Sequence, residues 1–520
     1  MPSLRYRIQS TLFSIIEAIP FLAKIANRWA INRVVKRARN RPHPLSTVGN
    51  YVSWRGLTDR RWSGRHLPPQ HRSGLPEVAD LLPLFERRAG VQRLCPKSTC
   101  LFPAFAQYLT DGFLRTETDG LIPEGEDPEL RLRRNTSNHE IDLCTLYGRT
   151  FGQTMALREN SDEKGRRGRL KSQKIEGEEY PPFLFKNGAT DPDFAALDPA
   201  LGHEDLPPEQ QATLFAVGGD RVNSVPQVAM LNTLFLREHN RLAGEIEKAN
   251  PAWDDTRIFE TARNTMIVLF IKMVVEDYIN HISPLPFSLK ADPSVAWEAS
   301  WNKPNWITTE FSLLYRWHAL IPDTIRWGGE DVPIARTLRN NAPLLKGGLL
   351  AAFADICATP AAELGPRNTS APLVKVEEAS ILQDRACELA SFWDYNVYLK
   401  QEPPRTFEDI SSDPEVAAEL ARLYRSPEQV DFFVGLFCED RVPNSPLPNL
   451  VLVFVALDAF SQALTNPLLS RHVFNEATFS APGWRAINET HSIRDILDRN
   501  VPGGAGETFV SMTRADWQPE

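Results

Sequence analysis

The stretch that decides the fold is EFSLLYRWHALIPDTI, residues 310–325. It places His318 in an apolar, aromatic setting, three residues after Tyr315. A haem iron requires a neutral imidazole in a dry pocket as its axial ligand, although a single histidine in such a setting is more often a core residue. If the stretch is helical, Tyr315 and His318 share one face, because residues three apart lie one above the other. The pair is therefore a candidate iron ligand with a candidate radical relay.

The other nine of the ten histidines give weaker indications. His239 lies in LREHNRL, on a strongly helical pattern, where a structural histidine is expected. Four histidines fall in proline-rich or polar segments and are predicted to lie on the surface: His43, His66, His71 and His203. The remaining four lack partners at the spacing of metal ligands: His139, His281, His472 and His491.

Residues 310–325 resemble the proximal segment of the prostaglandin synthases (cyclooxygenases), in which a catalytic tyrosine precedes the proximal haem histidine by three. The resemblance continues in order through residues 50–480, which identifies the chain as a member of the animal-type peroxidase/cyclooxygenase superfamily. The segments that carry it are YVSWRGL (51–57), FAQYLTDGFLRT (105–116), NHEIDLCTLYGRTFGQTMALR (138–158), LFLREHNRLA (234–243) and VVEDYINHIS (274–283). FAVGGDRVNSVPQV (215–228) is more similar to leukocyte peroxidases and fungal fatty-acid dioxygenases.

This resemblance implies a role for each matching residue. Tyr315 matches the radical tyrosine, Tyr278 a tyrosine that hydrogen-bonds it, and His318 the proximal ligand of haem b. Gln107 and Arg221 match distal residues that orient the oxygen ligand. Leukocyte peroxidases attach haem covalently through two acidic residues, but Thr110 and Ser224 stand at those positions, which implies non-covalent haem.

One distal position departs from the family. A distal histidine is expected one helical turn after Gln107, and Asp111 stands there instead. A carboxylate can shuttle the proton of bound peroxide only if burial raises its pKa. Asp111 is therefore either a proton shuttle or a structural partner of Arg221.

The substrate side departs as well. Cyclooxygenases hold a fatty-acid carboxylate with an arginine and a tyrosine, but Leu285 occupies the tyrosine position and the arginine position falls near Val35. The candidate replacements for that arginine are Arg33, Lys36 and Arg37. The other positions that the resemblance assigns to the substrate are Ile279, Ile282, Ser283, Val455 and Ala456.

The first 41 residues carry nine basic side chains against the single acid Glu17. The apolar segment 11–31 is interrupted by Glu17, Pro20, Lys24 and Arg28, so it is a poor membrane span. Its character is typical of an amphipathic helix lying on a bilayer, and the alternative is that it packs on the protein body. We predict a membrane-associating segment over residues 1–45 and a catalytic domain over 46–520.

The rest of the chain predicts a mainly α fold. Residues 226–249, 256–282, 371–400, 414–424 and 447–468 have apolar residues at helical spacing, and 157–178 and 188–212 are predicted to be exposed loops. The six cysteines are predicted to be reduced thiols of a cytoplasmic protein at the membrane surface. A net charge of −8 argues against nucleic-acid binding.

The resemblance implies an enzyme that adds dioxygen to a fatty acid or similar lipid through a radical on Tyr315. One alternative is a peroxidase or peroxygenase that oxidises small molecules with peroxide. Another is a haem-binding protein whose peroxidase activity has decayed with the distal histidine. The oligomeric state stays open, with a homodimer as one option.

Overall fold

The computed structural model describes residues 3–37, 54–88, 90–116, 125, 133–200 and 202–520. The mainly α fold is confirmed. The α-helices within these ranges are Leu4–Glu17, Pro20–Arg37, Trp54–Thr58, Val78–Leu81, Leu101–Phe113, Cys144–Tyr147, Phe151–Leu157, Pro208–Gln211, Pro226–Ala249, Asp255–Met273, Asn280–Ile282, Ser294–Trp297, Thr309–Leu314, Ala342–Ala358, Val374–Ala386, Phe392–Tyr398, Pro414–Leu423, Phe432–Cys438, Asn449–Phe454, Phe460–Leu464, Glu476–Glu489 and Ile493–Asn500.

The β structure of the described chain is limited to antiparallel strand pairs. These are Leu94–Thr99 with Pro360–Ala362, Gln173–Ile175 with Glu178–Tyr180, Phe185–Lys186 with Ala189–Thr190, and Thr324–Trp327 with Glu330–Pro333. Isolated pairs of this size cannot organise a core, so the helices do.

Two long helices form the centre of the molecule. Pro226–Ala249 begins with a proline, whose fixed φ suits the first helical position, and it packs against Asp255–Met273. Both contact Glu476–Glu489, and Leu101–Phe113 lies against the first of them. The buried apolar side chains on these helices form the core that holds the site in place.

The predicted helix over 256–282 is present, but it is widened near its end. Asp255–Met273 continues into a π-helical turn, Val274–Ile279, and then into Asn280–Ile282. A second π turn, Val455–Ala459, lies within the predicted helix 447–468. Such turns frequently occur at functional sites.

The predicted loop over 157–178 is exposed at 162–166, but the prediction is wrong on either side of that stretch, where residues 157, 158, 168 and 170 are buried. Arg158 is buried and pairs with Asp255, while the Asn240 side chain bonds both backbone groups of Leu170. Gly168 has a positive φ of 70°, and a Cβ there would lie 2.4 Å from Ile258. On either side of the exposed stretch the polar groups are paired inside the protein, so a polar sequence there does not indicate exposure. The predicted loop 188–212 is largely exposed, but Phe194, Leu197 and Ala200 are buried.

The N-terminal segment forms two helices, which are separated by Ala18 and Ile19. Leu4–Glu17 has no buried residue, whereas Pro20–Arg37 buries Asn27, Ile31 and Val35. The Asn27 amide bonds both backbone groups of Lys290, which anchors the second helix. The segment therefore packs on the body along one face only. The predicted boundary at residue 45 lies outside the described residues.

No helix in the described ranges is long and apolar enough to cross a membrane. The six cysteines are buried free thiols.

Candidate functional site

The helix Thr309–Leu314 positions the residues of the proximal side. Thr308 caps it by accepting a hydrogen bond from the Phe311 backbone, and Tyr315 ends it with non-helical dihedral angles. His318 then begins a separate 3₁₀ turn, His318–Leu320. The prediction that Tyr315 and His318 share one helical face is therefore wrong, because the helix ends at Leu314, before both residues.

His318 faces an acidic partner. Its Nδ1 lies 3.4 Å from Oε1 of Glu377, a buried residue of the helix Val374–Ala386. Its Nε2 makes no hydrogen bond to any other described residue, and about a quarter of the side chain (24%) is exposed. This arrangement leaves Nε2 available as a metal ligand.

Tyr315 and Tyr278 form a hydrogen-bonded pair, in which Tyr278 is buried and Tyr315 is partly buried. The Tyr278 hydroxyl donates to the Tyr315 hydroxyl over 3.2 Å, and the Trp317 ring stacks on Tyr315 at 4.7 Å between centroids. Burial raises the pKa of Tyr315 above its usual value, as does the negative charge of Asp458. Tyr315 is therefore held as a neutral phenol in a largely apolar setting.

The distal side is built from the helix Leu101–Phe113 and the turn Val222–Ser224. The Gln107 amide donates to the Ser224 hydroxyl at 2.9 Å, which ties helix and turn together. Arg221 precedes the turn, and its Nη1 lies 3.9 Å from Oδ1 of Asp111. Gln107, Asp111 and Arg221 are thus brought together as the sequence predicts.

The carboxylate of Asp111 is buried with incomplete hydrogen bonding. Its Oδ2 is buried and has no hydrogen-bond partner in the structure. Burial raises the pKa of Asp111 to about 6, against the opposing effects of Arg221 and Arg115. Arg115 is itself held by Asp220, with contacts of 2.6 and 2.8 Å. Among the described residues Asp111 therefore lacks a tightly bound counter-charge, because Arg221 lies 3.9 Å away and Arg115 is held by Asp220. With a pKa of about 6, Asp111 can exist in both protonation states near neutral pH.

Arg316 is a site residue that sequence reasoning missed. Its Nε is buried and has no hydrogen-bond partner among the described residues, and its Nη2 lies 3.5 Å from Oε1 of Gln383. Burial and then the charge of Arg221 lower the pKa of Arg316 to about 10, while Asp111 and Glu377 oppose this. Arg316 therefore connects the distal acid with the proximal acid electrostatically. The signal was a charged residue inside the apolar run before His318.

His66 is a second miss, because it was predicted to lie on the surface. Its Nε2 lies 2.8 Å from Oδ2 of Asp458, and both side chains are buried. Burial lowers the pKa of His66, but the Asp458 carboxylate more than offsets this, so the pKa lies above its usual value. His66 thus forms a buried pair with the same π turn whose Asp458 affects Tyr315.

Two further histidines can be placed. His203 is also largely buried, and its Nδ1 lies 3.0 Å from the Ala200 carbonyl oxygen. His239 is a structural residue as predicted, since its ring nitrogens lie 2.9 Å from the Tyr147 hydroxyl and from the Gly168 carbonyl.

The predicted substrate positions fall on neighbouring elements. Ile279 and Ile282 are buried at the end of the first π helix, whereas Leu285 is nearly half exposed. The Ser283 hydroxyl accepts a hydrogen bond of 3.2 Å from the Leu285 backbone N–H. Val455 is buried and Ala456 partly buried in the second π turn, against which the helix Pro20–Arg37 packs.

An open surface cavity of about 790 Å³ lies along the helix Pro20–Arg37, which supplies all of the described side chains that line it. Arg33 and Lys36 line it, and the Arg33 guanidinium lies 5.2 Å from the centre of the Trp29 ring. Arg28 also lines it but donates to the Ser294 carbonyl. Arg37 ends the helix, and its side chain lies outside the described part of the chain. Arg33 and Lys36 are therefore the exposed cations that can meet an anionic ligand here.

These residues fit a haem group. Within the described ranges no group of three or more His, Cys, Asp or Glu side chains could hold a bare metal ion. A single imidazole with a free Nε2 is instead the donor set of a haem iron. The unpartnered Nε of Arg316 supplies buried positive charge beside it, which suits the carboxylates of haem.

The fold is shared with solved structures of a dioxygenase and a peroxidase. Oryza sativa fatty acid alpha-dioxygenase with palmitic acid has 15% sequence identity and a TM-score of 0.71, covering 99% of this chain and 98% of that one. Peroxidase A from Dictyostelium discoideum has 17% identity and a TM-score of 0.67, covering 92% and 96%. At these identities the likeness establishes the fold alone.

Sequence comparison gives the family. Prostaglandin G/H synthase 2 of Oryctolagus cuniculus is 30% identical over 517 residues, which cover 95% of this chain and 79% of the relative. The protein of the same name from Equus caballus is 29% identical over 514 residues, with the same coverage. The family model described as animal haem peroxidase matches residues 112–508. Since that match spans most of the chain, the protein belongs to the animal haem peroxidase family.

Proposed function

We propose that the protein binds haem b non-covalently through His318 and oxygenates a fatty acid or similar lipid through a radical on Tyr315. The observation that carries this proposal is the hydrogen bond between Tyr278 and Tyr315, which lies three residues from the histidine with a free Nε2. The relatives named prostaglandin G/H synthase and the fold shared with a fatty acid alpha-dioxygenase support the same reaction class.

The side chains around the site support non-covalent binding. Thr110 donates its hydroxyl to the Ala106 carbonyl, and the Ser224 hydroxyl donates to the Arg221 carbonyl. Neither position offers a carboxylate that could form an ester with haem. Arg316 contributes electrostatic attraction for a haem carboxylate.

Bound haem would supply the one-electron oxidation that Tyr315 needs. The Tyr315 radical then takes a hydrogen atom from a carbon of the acyl chain, which restores its own O–H bond. Dioxygen adds to the resulting carbon radical. The peroxyl radical takes the hydrogen back from Tyr315, which yields a lipid hydroperoxide and renews the tyrosine radical. Tyr278 holds the Tyr315 oxygen in position through its donated hydrogen bond.

The N-terminal helices support delivery of a lipid substrate from a bilayer. Apolar side chains are exposed along both helices, with Leu4 at 75% and Phe21 at 72% as the largest values. Basic residues flank them, and the open cavity beside Arg33 and Lys36 has the charge to receive a carboxylate. Exposed apolar and basic groups on one helical surface are typical of peripheral membrane contact. We propose that residues 1–45 form the membrane-associating part of the protein and that the helices Leu4–Glu17 and Pro20–Arg37 make the contact.

The experiment that tests this function supplies haem-loaded protein with a panel of unsaturated and saturated fatty acids under ¹⁸O₂. We expect hydroperoxides that carry two ¹⁸O atoms, detected by mass spectrometry. A parallel reaction with hydrogen peroxide and a phenolic reductant measures peroxidase turnover. Absence of labelled lipid product together with rapid peroxide turnover would reject the oxygenase.

A second candidate function is a peroxidase that acts on small molecules. The observation that favours it is the buried Asp111, whose pKa of about 6 suits proton transfer better than an ordinary carboxylate does. In that case Tyr315 would be dispensable, which the Tyr315 variant described below distinguishes.

A further inference from the structure

His66 and Asp458 form a buried acid–base pair beside the helix Thr309–Leu314. His66 Nε2 lies 2.8 Å from Asp458 Oδ2, and the two side chains are 0% and 1% exposed. The His66 backbone N–H donates to Oε1 of Glu310, in that helix, at 2.9 Å. Asp458 Oδ1 and His66 Nδ1 are buried and have no hydrogen-bond partner among the described residues. A buried carboxylate that leaves one oxygen without a donor is costly, which favours a role for that oxygen.

The phenol proton of Tyr315 needs an acceptor when this tyrosine is oxidised. The Tyr315 hydroxyl accepts from Tyr278 and donates to no described residue, so its own hydrogen is free for another group. Burial raises the pKa of Tyr315, the Tyr278 hydrogen bond opposes this, and the negative charge of Asp458 raises it further. Tyr315 and Asp458 make no direct hydrogen bond, so a transfer between them requires one bridging water.

We propose that Oδ1 of Asp458 accepts the proton of Tyr315 when the tyrosine radical forms, and that His66 is the positioning residue that holds this carboxylate. The inference rests on the proposed function and deepens it. The Tyr315 O–H bond breaks, its electron leaves to the oxidant that bound haem supplies, and its proton passes through the water to Asp458. The proton stays there while the radical persists, because the peroxyl radical renews it by taking a whole hydrogen atom.

The charge of His66 makes this step depend on pH. Burial lowers the pKa of His66, but the charges of Asp458 and Glu310 more than offset this, so the pKa lies above its usual value. Below that pKa the positive ring makes Asp458 a weaker base, and above it the neutral ring leaves Asp458 a better proton acceptor. We therefore expect radical formation to become more favourable as pH rises through the folded pKa of His66.

The other groups that face the pair do not produce this dependence. The polar ones are Tyr395, which donates to Glu310 at 2.8 Å, Tyr398, whose ring lies 5.8 Å from that of His66, and Arg65, which donates to the Cys387 carbonyl. Ordinary phenols and guanidinium groups do not titrate between about pH 6 and about pH 8.5. The helix Pro20–Arg37 also packs against the turn that carries Asp458, and its buried residues, Asn27, Ile31 and Val35, are uncharged.

The test uses the full-length haem-loaded protein and hydrogen peroxide between about pH 6 and about pH 8.5. Freeze-quench electron paramagnetic resonance measures the Tyr315 radical per oxidised haem, because Asp111 affects haem oxidation in the opposite pH direction. We expect the radical yield to rise several-fold with pH. Asp458→Asn should slow radical formation by at least about tenfold, since general base catalysis is commonly worth roughly 10² to 10⁴.

Infrared difference spectra of radical formation provide a readout that does not depend on turnover. A carboxylic acid band should appear together with the radical in the unaltered protein and be missing in Asp458→Asn. Asp384→Asn is the matched control, because Asp384 is also buried with one oxygen that has no partner among the described residues, while its other oxygen accepts from the Phe433 backbone. This variant should keep the radical yield, the pH profile and the band.

His66→Gln carries the test if Asp458→Asn does not fold. Glutamine can still donate to Asp458 but does not titrate, so the radical yield should lose its dependence on pH. A merely structural role for His66 would lower haem uptake and leave the pH profile of the remaining radical unchanged, which would overturn the proposal.

The outcomes separate this inference from the proposed function. A radical yield, pH profile and infrared band that are the same in Asp458→Asn as in the unaltered protein would overturn the role of the pair and leave the tyrosine mechanism intact. A radical that persists in Tyr315→Phe, or no radical in the unaltered protein at any pH, would reject the tyrosine mechanism itself.

Discussion

The hydroxyl groups of Tyr278 and Tyr315 lie 3.2 Å apart, although the two residues come from different elements. Tyr278 belongs to the π turn Val274–Ile279, and Tyr315 is the first residue beyond the helix Thr309–Leu314. Burial raises the pKa of both phenols, so neither ionises at neutral pH. A tyrosine in this state must lose its electron and its proton together, and the pair determines where the reactive oxygen points.

Tyr315→Phe removes the hydroxyl that carries the proposed radical. We expect haem uptake close to that of the unaltered protein and loss of lipid oxygenation. The organic radical signal in electron paramagnetic resonance should disappear. Tyr278→Phe, the matched control, should retain a radical at Tyr315 with an altered spectrum, since only the hydrogen bond is lost. Undiminished oxygenation by Tyr315→Phe would exclude the tyrosine mechanism and favour the peroxidase.

His318→Ala removes the proposed iron ligand. We expect haem to be lost or held weakly, with collapse of the Soret absorbance on titration with haem. His239→Ala is the control, because His239 is buried against Tyr147 and Gly168 and should affect stability only. A normal Soret band in His318→Ala with loss of haem in His239→Ala would reverse the ligand assignment.

Asp111 makes peroxide turnover depend on pH. Its pKa of about 6 exceeds the ordinary value of 3.8, so the protonated acid becomes more abundant as pH falls from 7.5 toward 6. We expect peroxide-dependent oxidation of the haem protein, followed by stopped-flow spectroscopy, to accelerate over this range. The raised pKa also means that the folded state binds this proton more tightly, and its contribution to stability is lost as pH rises through about 6.

Two substitutions separate the roles of Asp111. Asp111→His should raise the rate at pH 7.5 by at least about tenfold, because general acid–base catalysis is commonly worth roughly 10² to 10⁴. Asp111→Ala should lower the rate if the carboxylate moves the proton, and leave it unchanged if the residue only faces Arg221. A native rate that is fast, independent of pH and reduced by the histidine would contradict this account of the distal side.

Membrane contact is tested best by substitutions on the first helix. Deleting the whole segment would remove the buried Ile31 and Val35, whereas Leu12 and Ile15 are exposed. Leu12→Glu with Ile15→Glu should weaken binding to anionic liposomes by tenfold or more, since burying each apolar side chain contributes about 1.5–3 kcal/mol. Phe151→Glu replaces an apolar residue exposed elsewhere on the protein and should have no effect. Equal flotation of all three proteins with liposomes would reject the contact.

The sequence was informative where a residue's signal was local. Apolar spacing located the helix Pro226–Ala249, and the resemblance brought Tyr278 beside Tyr315. It was uninformative where the role of a polar side chain depends on a partner that is far away in the sequence. His66 looked like a loop residue because Asp458 follows it by 392 positions, and Glu377 faces His318 only once two separate elements have packed.

The π turns Val274–Ile279 and Val455–Ala459 determine where the chain tolerates a change of length. Each is equivalent to one residue inserted into an α-helix. Removing one residue elsewhere in these helices would rotate everything beyond it by about 100°. Removing one within a turn would restore a regular helix and preserve the downstream register, but it would redirect Tyr278 or Asp458. Crossover points of chimeric enzymes should therefore avoid both turns, since such a hybrid could fold normally and still lose its tyrosine pair.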